Sequence, residues 1–214
     1  MSTASRAAAQ PGRSRLPAAA RIQQLLDVAE ELFADRGFDN TSIEDIAQAA
    51  GVTRPVVYER LGNKEAAYVA VVGRVREQLE EQMTSAALSA DDPREQLRRG
   101  GDAFFTYLEQ EPRRWRILYG SSMPVVGDLG QRLTDARFST VDRIIDLLRL
   151  HVDRPEETLA AFGHLISGAV EQLGRYWLRH PEADRAFLVD RFVDVFWSGL
   201  EPHTNSSAPP SDGG

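Results

Sequence analysis

The chain has 214 residues, 42% of them hydrophobic, and carries a formal net charge of −7 with no cysteine. That length supports one or two cores, at about one domain per 100–200 residues, and the lack of Cys excludes disulfide staples, thiolate catalysis and thiolate-held metal. No apolar run approaches the roughly 18 residues of a bilayer span and residues 1–20 lack the apolar stretch of a signal peptide, so a cytoplasmic protein without a membrane partner is expected.

Charge is polarised along the chain. Before Asp27 there are four arginines, Arg6, Arg13, Arg15 and Arg21, and no acidic residue, whereas Asp27, Glu30, Glu31, Asp35 and Asp39 follow closely. Residues 1–17, rich in Ala, Ser, Arg, Pro and Gly, read as a flexible basic arm, and residues 202–214 as a disordered tail. Between them the hydrophobic spacing is helical and no run alternates with period two. An all-α fold of about nine helices is expected.

The first helix is expected over residues 17–36, with Ile22, Leu25, Leu26, Ala29, Leu32 and Phe33 on one face and Gly37 as its left-handed terminator. Thr41 followed by Glu44 fits a capping box, and Ile43, Ile46, Ala47 and Ala50 form the buried stripe of a short second helix ended by Gly51. Thr53 can cap a third helix, with Pro55 in the first turn, where a missing N–H costs little. Val57 and Leu61 then face the core, while Arg54, Val56, Tyr58 and Glu59 point away. Two short helices joined by a tight glycine turn, the second presented outward, have the form of a DNA-reading head.

Residues 21–68 resemble the DNA-binding head of the tetracycline-repressor (TetR) family of bacterial transcription regulators. The likeness is carried by Ala29-Glu30-Glu31-Leu32-Phe33 with Gly37-Phe38, by Thr41-Ser42 and Asp45-Ile46-Ala47, and by Ala50-Gly51-Val52-Thr53, Tyr58 and Lys64. Arg60 and Leu61 stand where the family usually has His or a similar residue followed by an aromatic, which predicts a smaller core and an altered polar contact there. The resemblance implies phosphate contacts from Ser42, Tyr58 and Lys64, the only lysine of the chain, with Arg60 at a phosphate-facing position. It implies base-edge contacts from Thr53, Arg54, Pro55 and Val56. These residue types suit the roles: Arg54 can pair bidentately with guanine, Pro55 and Val56 can pack on a thymine methyl, and Lys64 adds charge to a helix N-terminus. Glu44 occupies a second-helix position that in the family sometimes touches bases; completing the capping box is the favoured role and a base contact the alternative.

The head is therefore expected over residues 18–64 and an effector-binding and dimerisation body over 65–201. A connecting helix should run over residues 64–88, with Ala67, Val71, Val75, Leu79 and Met83 facing inward. Further helices are expected over 94–111, 113–119 and 128–152, separated at Pro112, Pro124 and Pro155. The family resemblance places an effector pocket among them. Its candidate residues are Phe104, Phe105, Tyr107, Leu108, Trp115, Leu118, Tyr119, Phe138 and Phe162, with Met123 nearby, a set that suits a mostly apolar ligand. Gly100-Gly101 inside a helix implies close packing or space for that ligand.

The last two helices, over 155–180 and 182–200, are apolar over a wide arc. Leu159, Ile166, Val170, Leu173, Trp177, Leu188, Phe192, Val195 and Phe196 form the expected homodimer interface, with Gly163, Ser167, Gly168 and Gly174 permitting close approach. Two-fold symmetry matches paired reading helices to a palindromic double-stranded operator. The expected function is a ligand-responsive repressor released from that operator by a small, mostly apolar effector. A DNA-binding adaptor that senses a protein partner is one alternative, and a helical enzyme another. Glu157, His164 and Glu171, spaced by seven, share a helix face, but the catalytic motifs sought, a Gly-x-Ser-x-Gly elbow, a phosphate loop and a His-Glu-x-x-His pair, do not occur. No cofactor and no metal are expected.

Overall fold

A computed structural model describes residues 17–120 and 127–204, and these are helical with connecting turns. Helix α1 (Ala18–Arg36) is followed by α2 (Ile43–Ala50) and α3 (Arg54–Leu61), which complete a three-helix head. Helix α4 (Lys64–Leu88) runs from the head into the body. There α5 (Pro93–Gln110), the short α6 (Pro112–Trp115) with a π turn over Arg116–Gly120, α7 (Gly127–Arg149), α8 (Glu156–Arg179) and α9 (Arg185–Leu200) pack around it or around one another. No helix among the described residues is long and apolar enough to cross a membrane. The arginines of the expected arm before residue 17, the break at Pro124, Met123 and residues 205–214 lie outside the described residues.

Local sequence explains most boundaries. Asn63, Asp92 and Asp184 accept backbone N–H groups of the first turns of α4, α5 and α9, which supplies the partners those helix ends lack. Gly51 ends α2 in the left-handed conformation (φ 65°, ψ 34°), reached there at little cost because glycine has no Cβ. The expected tail starts later than residue 202: Glu201–His203 form a 3-10 turn, and Thr204 makes an antiparallel bridge with Val152.

The head begins α2 one residue later than the Thr41/Glu44 capping box requires. Thr41 is buried, and its hydroxyl donates to the Gly37 carbonyl at 2.9 Å, which ties down the α1–α2 turn. Ser42 is the N-cap instead: its hydroxyl accepts from the Asp45 N–H at 3.1 Å, and the Asp45 carboxylate accepts from the Ser42 N–H at 2.8 Å. Hydrogen bonds from the Ser42 hydroxyl and backbone, with Arg36 nearby, hold the Asp45 carboxyl below its ordinary value of 3.8. A lowered acid stabilises the folded cap above that value and loses its effect as pH falls through the lowered one.

One continuous apolar core runs from Leu25 and Phe33 in the head through Val71, Val75 and Leu79 to Phe104, Phe105, Trp115 and Phe192 in the body. The start of α4 at the expected domain boundary is thus not a gap in the core. The glycines of α8 explain part of its packing. A Cβ on Gly174 would lie 3.0 Å from Trp115, 3.1 Å from Leu108 and 3.1 Å from Phe104, and one on Gly163 would lie 2.7 Å from Ile145. Their close approach is intramolecular, while Gly168 faces open space. Gly174→Ala is expected to overpack this site and cost about 1–3 kcal/mol, seen as a lower thermal midpoint; an unchanged midpoint contradicts the packing.

Candidate nucleic-acid interface and effector cavity

The reading surface follows from the register of α3. Val57 and Leu61 are buried in the head core, so Thr53, Arg54, Pro55 and Tyr58 are left exposed and Val56 half-buried. Tyr58 is 54% exposed, which rules out a core role for its ring. Thr53 occupies the N-cap position of α3 without a side-chain capping bond, so its hydroxyl stays on the exposed turn. Arg60 pairs with Glu59 at 3.1 Å in that helix's last turn.

Ser42, Arg54, Tyr58 and Lys64 come together around one shallow depression, with Asp39, Glu44, Asn63 and Glu65. Two of them are more constrained than the sequence implied. The Ser42 hydroxyl is engaged in the α2 cap. Lys64 does not simply strengthen the α4 N-terminus, because Asn63 already serves that end. Its ammonium donates to the Asp39 carbonyl at 3.2 Å and lies 4.3 Å from the Phe38 ring centre. An ammonium has three donors, so this hydrogen bond does not exhaust them. Arg54 is paired with Glu44, whose side chain is free of the cap.

The body contains a cavity of about 100 Å³ between α4, α5, α7, α8 and α9. Its wall is mainly apolar: Met83, Leu97, Ile144, Leu147, Leu148, Ile166, Val170, Phe192 and Trp197 line it. Several polar groups of the wall are hydrogen-bonded to one another or to residues just behind it, although the buried Arg76 Nε has no partner among the described residues. Glu80, only 4% exposed, accepts from the Thr140 hydroxyl at 2.6 Å and the Ser139 hydroxyl at 2.8 Å, and Arg76 donates to Thr140 at 3.0 Å. At another part of the wall, His151 Nε2 and Gln96 Oε1 are 3.1 Å apart.

None of the nine expected pocket residues lines this cavity. Phe104, Phe105, Tyr107, Leu108 and Trp115 are buried as filled core, with Phe104 edge-to-face against both Phe105 and Trp115. Tyr119 packs on the Trp115 ring, Leu118 packs against the same core, Phe138 is exposed against His164, and Phe162 meets His203. Aromatic density marked where helices pack tightest. Gly100 and Gly101, expected to mark close packing or space for a ligand, do line the cavity, and so does the apolar stripe Ile144, Leu147 and Leu148 on α7, which the sequence reading did not single out. A Cβ on Gly101 would come within 3.2 Å of Phe192.

The expected dimer residues divide similarly. Leu159, Ile166, Val170, Leu188 and Phe192 are buried within the single chain, which leaves them little surface to offer a second one; Ile166, Val170 and Phe192 are cavity wall. Trp177 donates to the Ala183 carbonyl at 2.8 Å and packs on Phe105. Leu173 and Phe196 are half-buried, and Val195 is 70% exposed. Leu165 and Tyr176, on the outer side of α8, are exposed as well, a face the sequence pattern did not single out.

Head and body are joined through Glu30. This α1 carboxylate is 8% exposed and ion-paired to Arg74 of α4 and, at 2.6 Å, to Arg114 of α6. Arg74 also pairs with Asp27 at 2.6 Å, and Arg113 with Asp35. Beside them Tyr68 donates to the Ile117 carbonyl at 3.1 Å, and burial pushes the Tyr107 hydroxyl up to about 12 despite the nearby Arg114. The π turn following α6, a rare irregularity often found at functional sites, sits in this joint. Among the described residues no group of three or more His, Asp or Glu side chains is placed to hold a metal ion.

Comparison with known proteins agrees with this architecture. Residues 25–71 match the family model described as bacterial regulatory proteins, tetR family, and residues 93–199 match the tetracyclin repressor-like C-terminal domain. The HTH-type transcriptional activator FasR of Mycolicibacterium smegmatis is 29% identical over 190 residues, covering 87% of this chain and 86% of the relative. A TetR-like transcriptional regulator from Rhodococcus sp. RHA1 is 27% identical with a TM-score of 0.65, covering 87% of this chain and 99% of that one. FadR of Bacillus subtilis, solved in complex with stearoyl-CoA, shares the fold at a TM-score of 0.69 and 18% identity, over 83% of this chain and 98% of its own. With an exposed reading helix on a three-helix head, and with half of the chain matched by the C-terminal model alone, the protein belongs to the TetR family of DNA-binding transcriptional regulators.

Proposed function

We propose that the protein acts as a homodimer that places one α3 helix in each of two successive major grooves of a palindromic operator and leaves it when a small, mostly apolar effector enters the cavity of the body. The observation that carries the DNA part is the outward register of α3, with Tyr58 exposed above buried Val57. Arg54, Thr53, Pro55 and Val56 meet base edges; Tyr58, Lys64, Ser42 and Arg60 meet phosphates. Two-fold pairing spaces the reading helices by about 34 Å, one turn of the duplex. Lys64→Ala will weaken binding to every duplex and reduce the slope of log affinity against log salt by about 1. An unchanged slope in a fluorescence-anisotropy titration removes that role.

The dimer face of this proposal is the outer side of α8 and α9, carrying Leu165, Tyr176 and Val195, with Leu173 and Phe196 partly covered. Leu165→Glu together with Val195→Glu will convert the protein to monomers in sedimentation equilibrium and abolish operator binding while leaving helix content intact. A dimer that survives both changes places the interface elsewhere.

The cavity supports the effector reading, because a mainly apolar lining suits a ligand whose gain comes from burying hydrocarbon. Its walls belong to α4, which carries Lys64 at its other end, and to α5, which reaches α6 and the Glu30 joint. An effector that prefers a widened arrangement of these helices shifts the heads apart, and a hundredfold loss of operator affinity needs about 2.7 kcal/mol of coupling. The bound dimer represses where its operator overlaps a promoter and excludes polymerase. The named activity of FasR is activation, so operator position sets the sign.

A further inference from the structure

Four acidic residues, Asp39, Glu44, Asp45 and Glu65, line the DNA-facing depression, and of these Glu44 is ion-paired to the base-facing Arg54. Glu44 is in the first turn of α2, between the phosphate-type residues Ser42, Tyr58 and Lys64. It has no capping duty, since Asp45 completes the Ser42 cap. Its carboxylate is instead paired with the guanidinium of Arg54 across the helix-turn-helix, and both side chains are more than half exposed (53% and 61%). An exposed pair of this kind contributes little to stability, so folding does not account for it. A carboxylate on a surface that approaches a polyanion is unfavourable at every duplex unless a base edge offers it a proton.

In the major groove cytosine offers such a donor at N4, beside the O6 and N7 acceptors of its guanine partner. A guanidinium and a carboxylate held side by side match the donor and acceptor pattern of one G·C pair. We propose that Glu44 is a specificity-determining residue: it accepts from the cytosine amino group while Arg54 donates to the guanine, and its charge suppresses binding where that cytosine is missing. The ion pair also keeps Arg54 from settling on phosphates of unrelated DNA. This inference rests on α3 entering the major groove, as proposed above.

The test is selection from a randomised duplex library by the full-length protein and by its Glu44→Ala, Glu44→Gln and Arg54→Ala variants, followed by titration of each on the selected duplex and on an unrelated one at several salt concentrations. The wild type is expected to select a two-fold sequence with a fixed G·C pair in each half. Both Glu44 variants should bind unrelated DNA roughly tenfold more tightly, with a salt slope larger by about 1 as Arg54 reaches a phosphate. Discrimination against replacement of that G·C pair should fall at least roughly fivefold, within the range of one good base contact. Arg54→Ala should lose the guanine preference without gaining affinity for unrelated DNA. If the Glu44 variants select the same sequence at the same ratio of selected to unrelated binding, the inference is overturned while the reading role of α3 stands. If the wild type selects no sequence, the docking of α3 and this inference fall together.

Discussion

Replacing Glu30 by alanine is expected to lower stability by about 2–3 kcal/mol and to cut the link between cavity and DNA. Glu30 is the shared partner of Arg74 and Arg114, and its loss leaves two guanidiniums with fewer partners in a partly covered joint. Breaking a fully buried pair costs roughly 3–5 kcal/mol; the Arg114 side chain is 31% exposed, and Asp27 still holds Arg74, so the smaller figure applies. A protein of this size should melt roughly 5–10 °C lower. Glu30→Gln, which keeps the shape and two hydrogen-bonding atoms, should recover part of the loss. The functional signature is separate from the stability change: operator binding at a temperature well below the midpoint should persist, but effector-driven release should weaken. A variant that melts like the wild type and releases normally shows that the joint runs elsewhere, and Tyr68 with Ile117 becomes the next contact to break.

Val170→Phe should abolish the effector response while preserving DNA binding. Val170 is buried in the cavity wall on α8, and a phenyl ring occupies much of a space of about 100 Å³. Filling an apolar void that the fold already contains tends to stabilise, whereas a ligand of the same hydrophobic character is then excluded. In cells, operator occupancy of the variant should stay constant across growth conditions in which wild-type occupancy falls. Occupancy that falls in parallel for both proteins removes the cavity from the mechanism. Phe138→Ala, at an exposed position away from the cavity, provides the contrasting case and should respond normally.

These two expectations concern parts of the molecule that the sequence describes unequally. The head was legible because its information is local. The helix stripe of α1, the glycine at residue 51, Pro55 in the first turn of α3 and the alternation of Val57 and Leu61 with Arg54 and Tyr58 each act within a few residues, and the structure keeps all of them. The capping box slipped by one residue for an equally local reason. Thr41 and Ser42 both suit an N-cap, and only the buried bond from Thr41 back to Gly37 decides between them.

The body was legible as helices but not as surfaces. Apolar residues on α5, α6, α8 and α9 satisfy the same periodicity whether they face a core, a cavity or a second chain. Phe104, Phe105 and Trp115 fill a core, Ile166, Val170 and Phe192 bound a cavity, and Leu165 and Val195 remain open. Hydrophobicity states that a side chain prefers to leave water; it does not state what will cover it.

By itself, then, the order of residues determined the helical class, the helix-turn-helix and the side of α3 that is turned to solvent, since short-range backbone and burial preferences suffice for each. Three-dimensional packing alone decided the position of the cavity, the intramolecular use of Gly163 and Gly174, the Glu30 joint and the partnership of Glu44 with Arg54. Each of those depends on contacts between residues distant in the chain or on separate helices, whose distances follow from how whole helices are placed.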